Sequence, residues 1–400
     1  MTPPNSIFDD AYDICPLEAW ECSALGRGLI NTTLLLTRKH RAGGEDNEGL
    51  VLQRINTHVF PRHEVIARNI RHAATYLRET HPSYAFLSPL LTKSGQETHT
   101  APEDGSVWRI TRFVPNTVAL ERVETEDQAY ESAKQFGRLC RLLAPCDLAG
   151  FEETIPDFHH LPKYEAQYRD DIAQCAQPER LARAAKVMSS LARHTNITNT
   201  YRRLACAVPL RLVHHDAKIA NVLLNSTSGR GVMVVDLDTL MPGRIMSDVG
   251  DMLRCAATPT SEEELDLSRI CVREGFVRAT LAGYLSEMAP LLTAVEKESL
   301  VFAAKFVVYM QASSNPNPNP NPNPNPNPNP NPNLNPNPNL QALRFLADYL
   351  HGDTYYRVER SDQNLDRAAN QACLLDHLVA AEEGIARAVE EVLQQKQLKG

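Results

Sequence analysis

The sequence predicts an α+β chain in two lobes, a small antiparallel-sheet N-lobe and a larger, mainly helical C-lobe. Residues 20–115 hold short strand-type runs around a single helix-type run. From Asn116 onward the apolar spacing is mostly helical. At 400 residues, of which 42% are hydrophobic, the chain is too long for one small core. The expected division is residues 1–115 and 116–400, with residues 315–339 as an insert in the second lobe.

The elements follow in order. Residues 29–37 are rich in leucine and threonine and suit a strand, as do residues 49–55. Residues 60–79 place Val65, Ile66, Ile70, Ala73 and Leu77 on one side of a helix. Residues 84–91 and 107–114 read as two further strands. In the second lobe, residues 127–143 carry Ala129, Ala133, Phe136, Leu139, Cys140 and Leu143 at helical offsets. Residues 178–195 are the next helix. Residues 222–224 and 232–235 flank a Ser-Thr-Ser-Gly-Arg-Gly turn and read as a hairpin. Residues 261–288, 294–311, 340–350 and 364–393 read as helices. From Asn315 to Asn339 asparagine and proline alternate, broken only at Leu334. Proline fixes φ and lacks a donor, and it pushes the preceding residue out of the α region. The tract is therefore expected to be a disordered, partly extended insert, a tolerated expansion rather than a partner-binding arm.

Composition narrows the class. The net charge of −8 disfavours a nucleic-acid partner, whose backbone would repel the chain. No apolar run has the length of a membrane span, and the start, Met1-Thr2-Pro3-Pro4-Asn5, lacks the pattern of a signal peptide. The nine cysteines are dispersed from Cys15 to Cys373 without a C-x-x-C pair, as expected for free thiols in a reducing compartment. A cytoplasmic location is the expectation.

The chemistry concentrates in two segments. His214-His215-Asp216-Ala217-Lys218-Ile219-Ala220-Asn221 fits H-x-D-x-K-x-x-N, and an apolar run ends at Asp236 fifteen residues later. Kinase-like phosphotransferases use this arrangement. Asp216 is the candidate base that orients an acceptor hydroxyl, and Lys218 would offset charge on the transferred phosphoryl group. Asn221 and Asp236 are candidate ligands for Mg2+, which takes oxygen donors and keeps water and phosphate in its shell. Asp238 joins them if the strand continues, because alternate residues share a face; otherwise it is a turn residue before Pro242-Gly243. His214 reads as a support for the loop. The stretch from Gly26 to Thr33 is a candidate nucleotide loop, in which Gly26 and Gly28 let backbone approach phosphate and Asn31 and Thr33 add donors. Arg54, on the strand of residues 49–55, stands where a kinase strand carries its phosphate-binding lysine. Leu52 would share its face and touch adenine. ATP and Mg2+ are thus the expected cofactor pair.

These segments resemble the aminoglycoside phosphotransferase superfamily, which has the two-lobed protein-kinase-like fold. Within it the chain is most similar to the N-acetylhexosamine 1-kinases. The shared patterns are G-x-G-x-I-N-x-T from Gly26, L-Q-R-I-N from Leu52, H-x-D-x-K-I-x-N-V from His214 and D-L-D-T-x-M-P-G from Asp236. Ser247-Asp248-Val249-Gly250-Asp251 resembles their D-F-G-D segment, and Ile155 to His159 and Arg344 to Tyr355 also match. The resemblance implies phosphorylation of the anomeric hydroxyl of N-acetylglucosamine or N-acetylgalactosamine. It also implies that Arg344 and Tyr355 hold the sugar beside Asp216. The alternatives are a kinase of the same fold acting on an aminoglycoside, a choline-like amine or another alcohol, and a catalytically silent kinase fold. The Asn-Pro tract departs from the family, separating the helix that ends near Gln311 from the one carrying Arg344.

Overall fold

A computed structural model of the chain describes residues 3–25, 31–39, 49–57, 59–313, 345–353 and 358–397. The Asn-Pro tract, Gly26, Gly28, Arg344 and Tyr355 lie outside the described residues.

The N-terminal part is a five-stranded antiparallel sheet in the order β1-β2-β3-β5-β4. Its strands are β1 (Trp20–Ala24), β2 (Thr32–Arg38), β3 (Gly49–Ile55), β4 (His99–Thr100) and β5 (Val107–Arg112). One helix, α1 (His63–Thr80), follows β3. Residues 84–91, expected as a strand, form no ladder; only the Leu90 N–H reaches the sheet, at Ile110 O (2.7 Å). Pro82 precedes the run and Pro89 lies within it, and a proline offers no donor to a partner strand.

Sheet register fixes which side chains share a face. Leu50 and Leu52 of β3 share a face with Trp108 and Ile110 of β5, Leu52 pairing directly with Ile110, and all four are buried with Ile7, Phe8, Tyr12 and Trp20 of the N-terminal segment. Gln53 and Arg109, paired with each other, fall on the opposite face.

The rest is mainly helical. After β6 (Thr117–Ala119) come α2 (Glu126–Leu143), α3 (Leu161–Gln174), α4 (Pro178–Ala192) and α5 (Asn196–Ala207). Then β7 (Arg211–Val213), β8 (Val222–Asn225), β9 (Gly231–Val234) and β10 (Met241–Gly243) surround the predicted site. They are followed by α6 (Ile245–Ala257), α7 (Glu274–Met288), α8 (Ala294–Ser313), α9 (Phe345–Leu350), α10 (Gln363–Ala380) and α11 (Glu382–Gln397). The start of α2 is set by a full capping box: Thr125 accepts from Gln128 N–H while Gln128 accepts from Thr125 N–H. Helices α2 and α7 pack closely through two glycines. A Cβ on Gly283 would lie 2.1 Å from Tyr130 O, and one on Gly137 would lie 2.7 Å from Tyr284 O.

Two helix expectations change. The helix expected over residues 261–288 starts only at Glu274; residues 261–273 form turns and a short 3-10 helix at Leu267–Arg269, with Leu265 and Leu267 exposed. The single helix expected over 364–393 is two, α10 and α11, divided at Ala381. Helices α3, α5 and α6 are additions to the sequence reading.

A small core lies between the sheet and the N-terminal segment, and a large core fills the helical part. Ile66, Ile70 and Leu77 of α1 belong to the large core. Helix α1 thus docks the sheet onto the helices, and Asn69, fully buried, donates to Leu240 O (3.0 Å) and Glu152 O (2.8 Å). This is the two-lobed kinase-like fold. No helix among the described residues is long and apolar enough to cross a membrane.

Candidate active site

The predicted loop leaves β7 at Val213 and is held by bonds to its backbone. His214 N–H donates to Asp248 Oδ2 (2.9 Å) and His215 N–H to Asp248 Oδ1 (2.7 Å). His215 has φ 65°, a left-handed conformation unusual for histidine, and the paired acceptors of Asp248 hold it there. The His214 ring lies 2.9 Å from Val235 O through Nε2, and Asp216 N–H donates to its Nδ1 (3.3 Å). Thr239 Oγ1 donates to His214 O (2.6 Å). His214 therefore ties the loop to the segment after β9, the supporting role its position suggests.

Asp216 emerges from this brace half-buried. Its Oδ2 accepts from Lys218 Nζ (2.7 Å) and Asn221 Nδ2 (2.9 Å). Burial alone would push its carboxyl up, but the Lys218 ammonium and the hydrogen bonds outweigh it and hold the pKa at about 2. Asn221 also donates Nδ2 to Asp216 O (2.9 Å), so its Oδ1 is the atom left to meet a cation.

The hairpin brings Asn221 beside Asp236. Val222 pairs with Val234, and Val235 N–H donates to Asn221 O (2.9 Å). The strand does not continue through Asp236, which has φ 60°; residues Leu237–Thr239 form a 3-10 turn. Asp236 and Asp238 consequently do not share a strand face. The Asp236 side chain is exposed, and no described side chain donates a hydrogen bond to it. Surrounding protein and the Asp238 carboxylate push its pKa up to about 6, against the pull of Lys218. Asp238 is buried instead, its Oδ1 2.5 Å from Arg109 Nη1 and its Oδ2 accepting from Asn31 Nδ2 (2.9 Å).

Among the described residues no three His, Cys, Asp or Glu side chains gather into a metal cage. Two oxygen donors, Asn221 Oδ1 and Asp236, suit Mg2+, which completes its shell with water and phosphate.

The structure thus joins Asp216, Lys218, Asn221 and Asp236, and links Asn31 to Asp238. Thr33 lies on β2 and accepts from Gln53 Nε2 (3.1 Å). Arg54, whose register partner on β2 is Thr32, is half-exposed and lies 3.8 Å from Asp104. Leu52, expected to touch adenine, is wholly buried in the small core, so that expectation is corrected. On α1, Glu64 forms no pair with Arg54; Arg68 pairs with Glu152, and Arg71 with Glu97 at 2.5 Å. Sequence reasoning missed Arg109, whose only signal is a charge inside the otherwise buried strand Val107-Trp108-Arg109-Ile110. It also left Asp248 without a role of its own.

Comparison with solved structures supports the fold. An aminoglycoside phosphotransferase from Alicyclobacillus acidocaldarius superposes with TM-score 0.58 at 12% identity, covering 98% of this chain and 97% of that one. The microcompartment-associated aminopropanol kinase gives 0.54 at 17%, covering 93% and 95%. An amicoumacin kinase in complex with AMP-PNP, Ca2+ and Ami gives 0.54 at 12%, covering 92% and 90%. At these identities the likeness is one of fold. Residues 21–291, which include every site residue described above, match the phosphotransferase enzyme family (APH), and the chain belongs to that family.

Proposed function

We propose that the chain is an ATP- and Mg2+-dependent kinase that phosphorylates the anomeric hydroxyl of an N-acetylhexosamine, giving the sugar 1-phosphate. The observation that carries phosphotransfer is the bonded cluster of Asp216, Lys218 and Asn221 beside Asp236. The acceptor oxygen forms a bond to the γ-phosphorus, the bond to the ADP oxygen breaks, and the hydroxyl proton passes to Asp216 Oδ. An aspartate with a pKa of about 2 is too weak a base for early abstraction. Its work is to orient the hydroxyl and take the proton late, as a loose transition state allows. Lys218 offsets charge on the transferred group. Asn221 Oδ1 and Asp236 hold the metal, which when bound neutralises phosphate charge. Asn31 and Thr33, with Gly26, Gly28 and Arg54, form the nucleotide side.

The sugar assignment rests on the shared sequence patterns, with Arg344 and Tyr355 as the acceptor ligands. A division of the lobes near residues 115 and 116 is part of this reading, supported by the pairing of Thr117–Ala119 with β8 of the helical part. A second reading keeps the chemistry and changes the acceptor to an amino alcohol or aminoglycoside, favoured by the substrates named for the neighbouring structures. The test is an acceptor screen with Mg-ATP, run beside Asp216→Asn. Sugar-dependent ADP release that vanishes in the variant is expected. Release with amino alcohols alone would replace the sugar assignment, and full activity in Asp216→Asn would remove the base assignment.

A further inference from the structure

Asp238 stands two residues after the proposed metal ligand, yet its carboxylate belongs to a different network. Oδ1 pairs with Arg109 Nη1 at 2.5 Å and Oδ2 accepts from Asn31 at 2.9 Å. The Arg109 and Asp238 side chains are only 5% and 4% exposed, so the charges sit in each other's company and away from water. Arg109 is also anchored behind, donating Nε to Gln53 Oε1 (3.0 Å), and Gln53 donates Nε2 to Thr33 Oγ1 (3.1 Å). Asn31 closes the circuit, accepting from Asn56 N–H at 3.0 Å. Strands β2, β3 and β5 thus converge through polar side chains on one carboxylate of the helical lobe.

We propose that Arg109 is a positioning residue: by pairing with Asp238 it locks the turn Leu237–Thr239 to the sheet and so sets the direction of Asp236. The mechanical basis is short. Asp236 is in a left-handed conformation at the end of β9, where the ladder has stopped. Its orientation depends on what fixes the residues after it. Asp238 is fixed by the sheet, and Thr239 by the catalytic loop through His214 O. A truncated Arg109 would strand a buried carboxylate next to Asp236 and free the turn. Gln53 acts one bond further back, holding the guanidinium in line.

The inference rests on the reading that Asp236 holds the nucleotide's metal, and the experiment separates the two. ADP binding is measured by titration calorimetry with and without Mg2+, together with thermal unfolding, for Arg109→Met, Arg109→Met/Asp238→Asn, Gln53→Leu and Asp236→Asn. Arg109→Met should weaken the Mg2+-dependent part of ADP affinity by about tenfold to a hundredfold, the usual range for losing a partner that orients a metal ligand. Metal-free ADP affinity should stay unchanged. The double variant should regain thermal stability, because no unpaired charge remains, without regaining the Mg2+-dependent affinity. Gln53→Leu leaves both charges in place and should show the same defect, smaller, with little change in melting temperature. Recovery of Mg2+-dependent affinity along with stability in the double variant would make Arg109 merely structural and overturn the inference. So would wild-type Mg2+ dependence in Arg109→Met and Gln53→Leu while Asp236→Asn abolishes it, an outcome that leaves the metal reading standing. Wild-type behaviour of Asp236→Asn would remove the metal reading, and the inference with it.

Discussion

Asp248 offers the sharpest test of how the catalytic loop is held. It is 2% exposed, and its two carboxylate oxygens accept from two consecutive backbone N–H groups, at 2.9 and 2.7 Å. Removing the carboxylate in Asp248→Ala leaves two buried amides without acceptors. Each such orphan costs about 1–3 kcal/mol, so the loss should be about 2–6 kcal/mol. That is a large share of the roughly 5–15 kcal/mol available to a folded domain. Asp248→Asn keeps one acceptor oxygen and turns an amide donor toward the second N–H, so about 1–3 kcal/mol should be lost. The defect should extend to activity, because His215 at φ 65° would relax toward an ordinary conformation and carry Asp216 with it. Urea unfolding followed by circular dichroism gives the stability difference, and steady-state rates give the second readout. If both variants stay within about 0.5 kcal/mol of the parent, below the cost of one orphaned amide, the bracing argument is wrong.

Asn221→Ala removes two hydrogen bonds to Asp216 and one proposed metal ligand. The Mg2+ concentration for half-maximal rate should rise by about tenfold or more, and an unchanged Mg2+ titration would contradict the assignment. A Cβ on Gly243 would lie 2.3 Å from His215 Nε2 and 2.7 Å from Val213 Cγ2, so Gly243→Ala should cost about 1–3 kcal/mol by overpacking. A melting temperature equal to the parent's would show that the loop has slack. His351 Nε2 lies 2.7 Å from Asp171 Oδ1, and that bond raises its pKa against burial. With the folded value raised, its contribution is whole below the unfolded histidine value of about 6.5 and is lost as pH rises through the folded value. His351→Gln should therefore lower the melting temperature at pH 6 and scarcely at pH 9; an equal drop at both would refute the ionic reading.

Much of the site was legible because it is written in spacing. The offsets from Asp216 to Lys218 and Asn221, and on to Asp236, predicted a cluster that a single hairpin assembles. Strand β3 ends where its apolar run does, and α2 starts at most one residue from the expected place. The misses have physical causes. Residues 84–91 have strand composition but no partner edge. Residues 261–273 have helix-type spacing, but Leu265 and Leu267 stay exposed. The division at Ala381 has no proline to announce it, and Gly384 lies three residues on, inside α11; tertiary packing sets it, with Ile385 and Ala388 buried in the large core. Arg109, which the sequence reading passed over, is the most instructive case. Motif position pointed to Arg54 alone, and only the pairing across β3 and β5 shows that Arg109 and Gln53 share one face, with Leu52 and Trp108 on the other. A one-residue difference in register exchanges the faces.

The charges of the site explain why Asp236 is the residue that needs a ligand from outside the chain. Four carboxylates gather here: Asp216, Asp236, Asp238 and Asp251. Asp216 is paired with Lys218, Asp238 with Arg109, and Asp251 with Arg254 at 2.7, 2.5 and 2.8 Å. Asp236 is left with no cation of its own among the described residues, and it is the exposed one of the four. Three of the four carboxylates have a cation beside them inside the fold. Asp236 has none, and the neighbouring Asp238 carboxylate helps push its pKa up, an effect a bound cation would reverse. Had Asp238 been the open carboxylate, Arg109 would compete with the cation for the same oxygens. Its burial against the sheet makes Asp236 and Asn221 the acceptors that remain, and this division of labour between two aspartates two residues apart is what ties the sheet to the proposed phosphate chemistry.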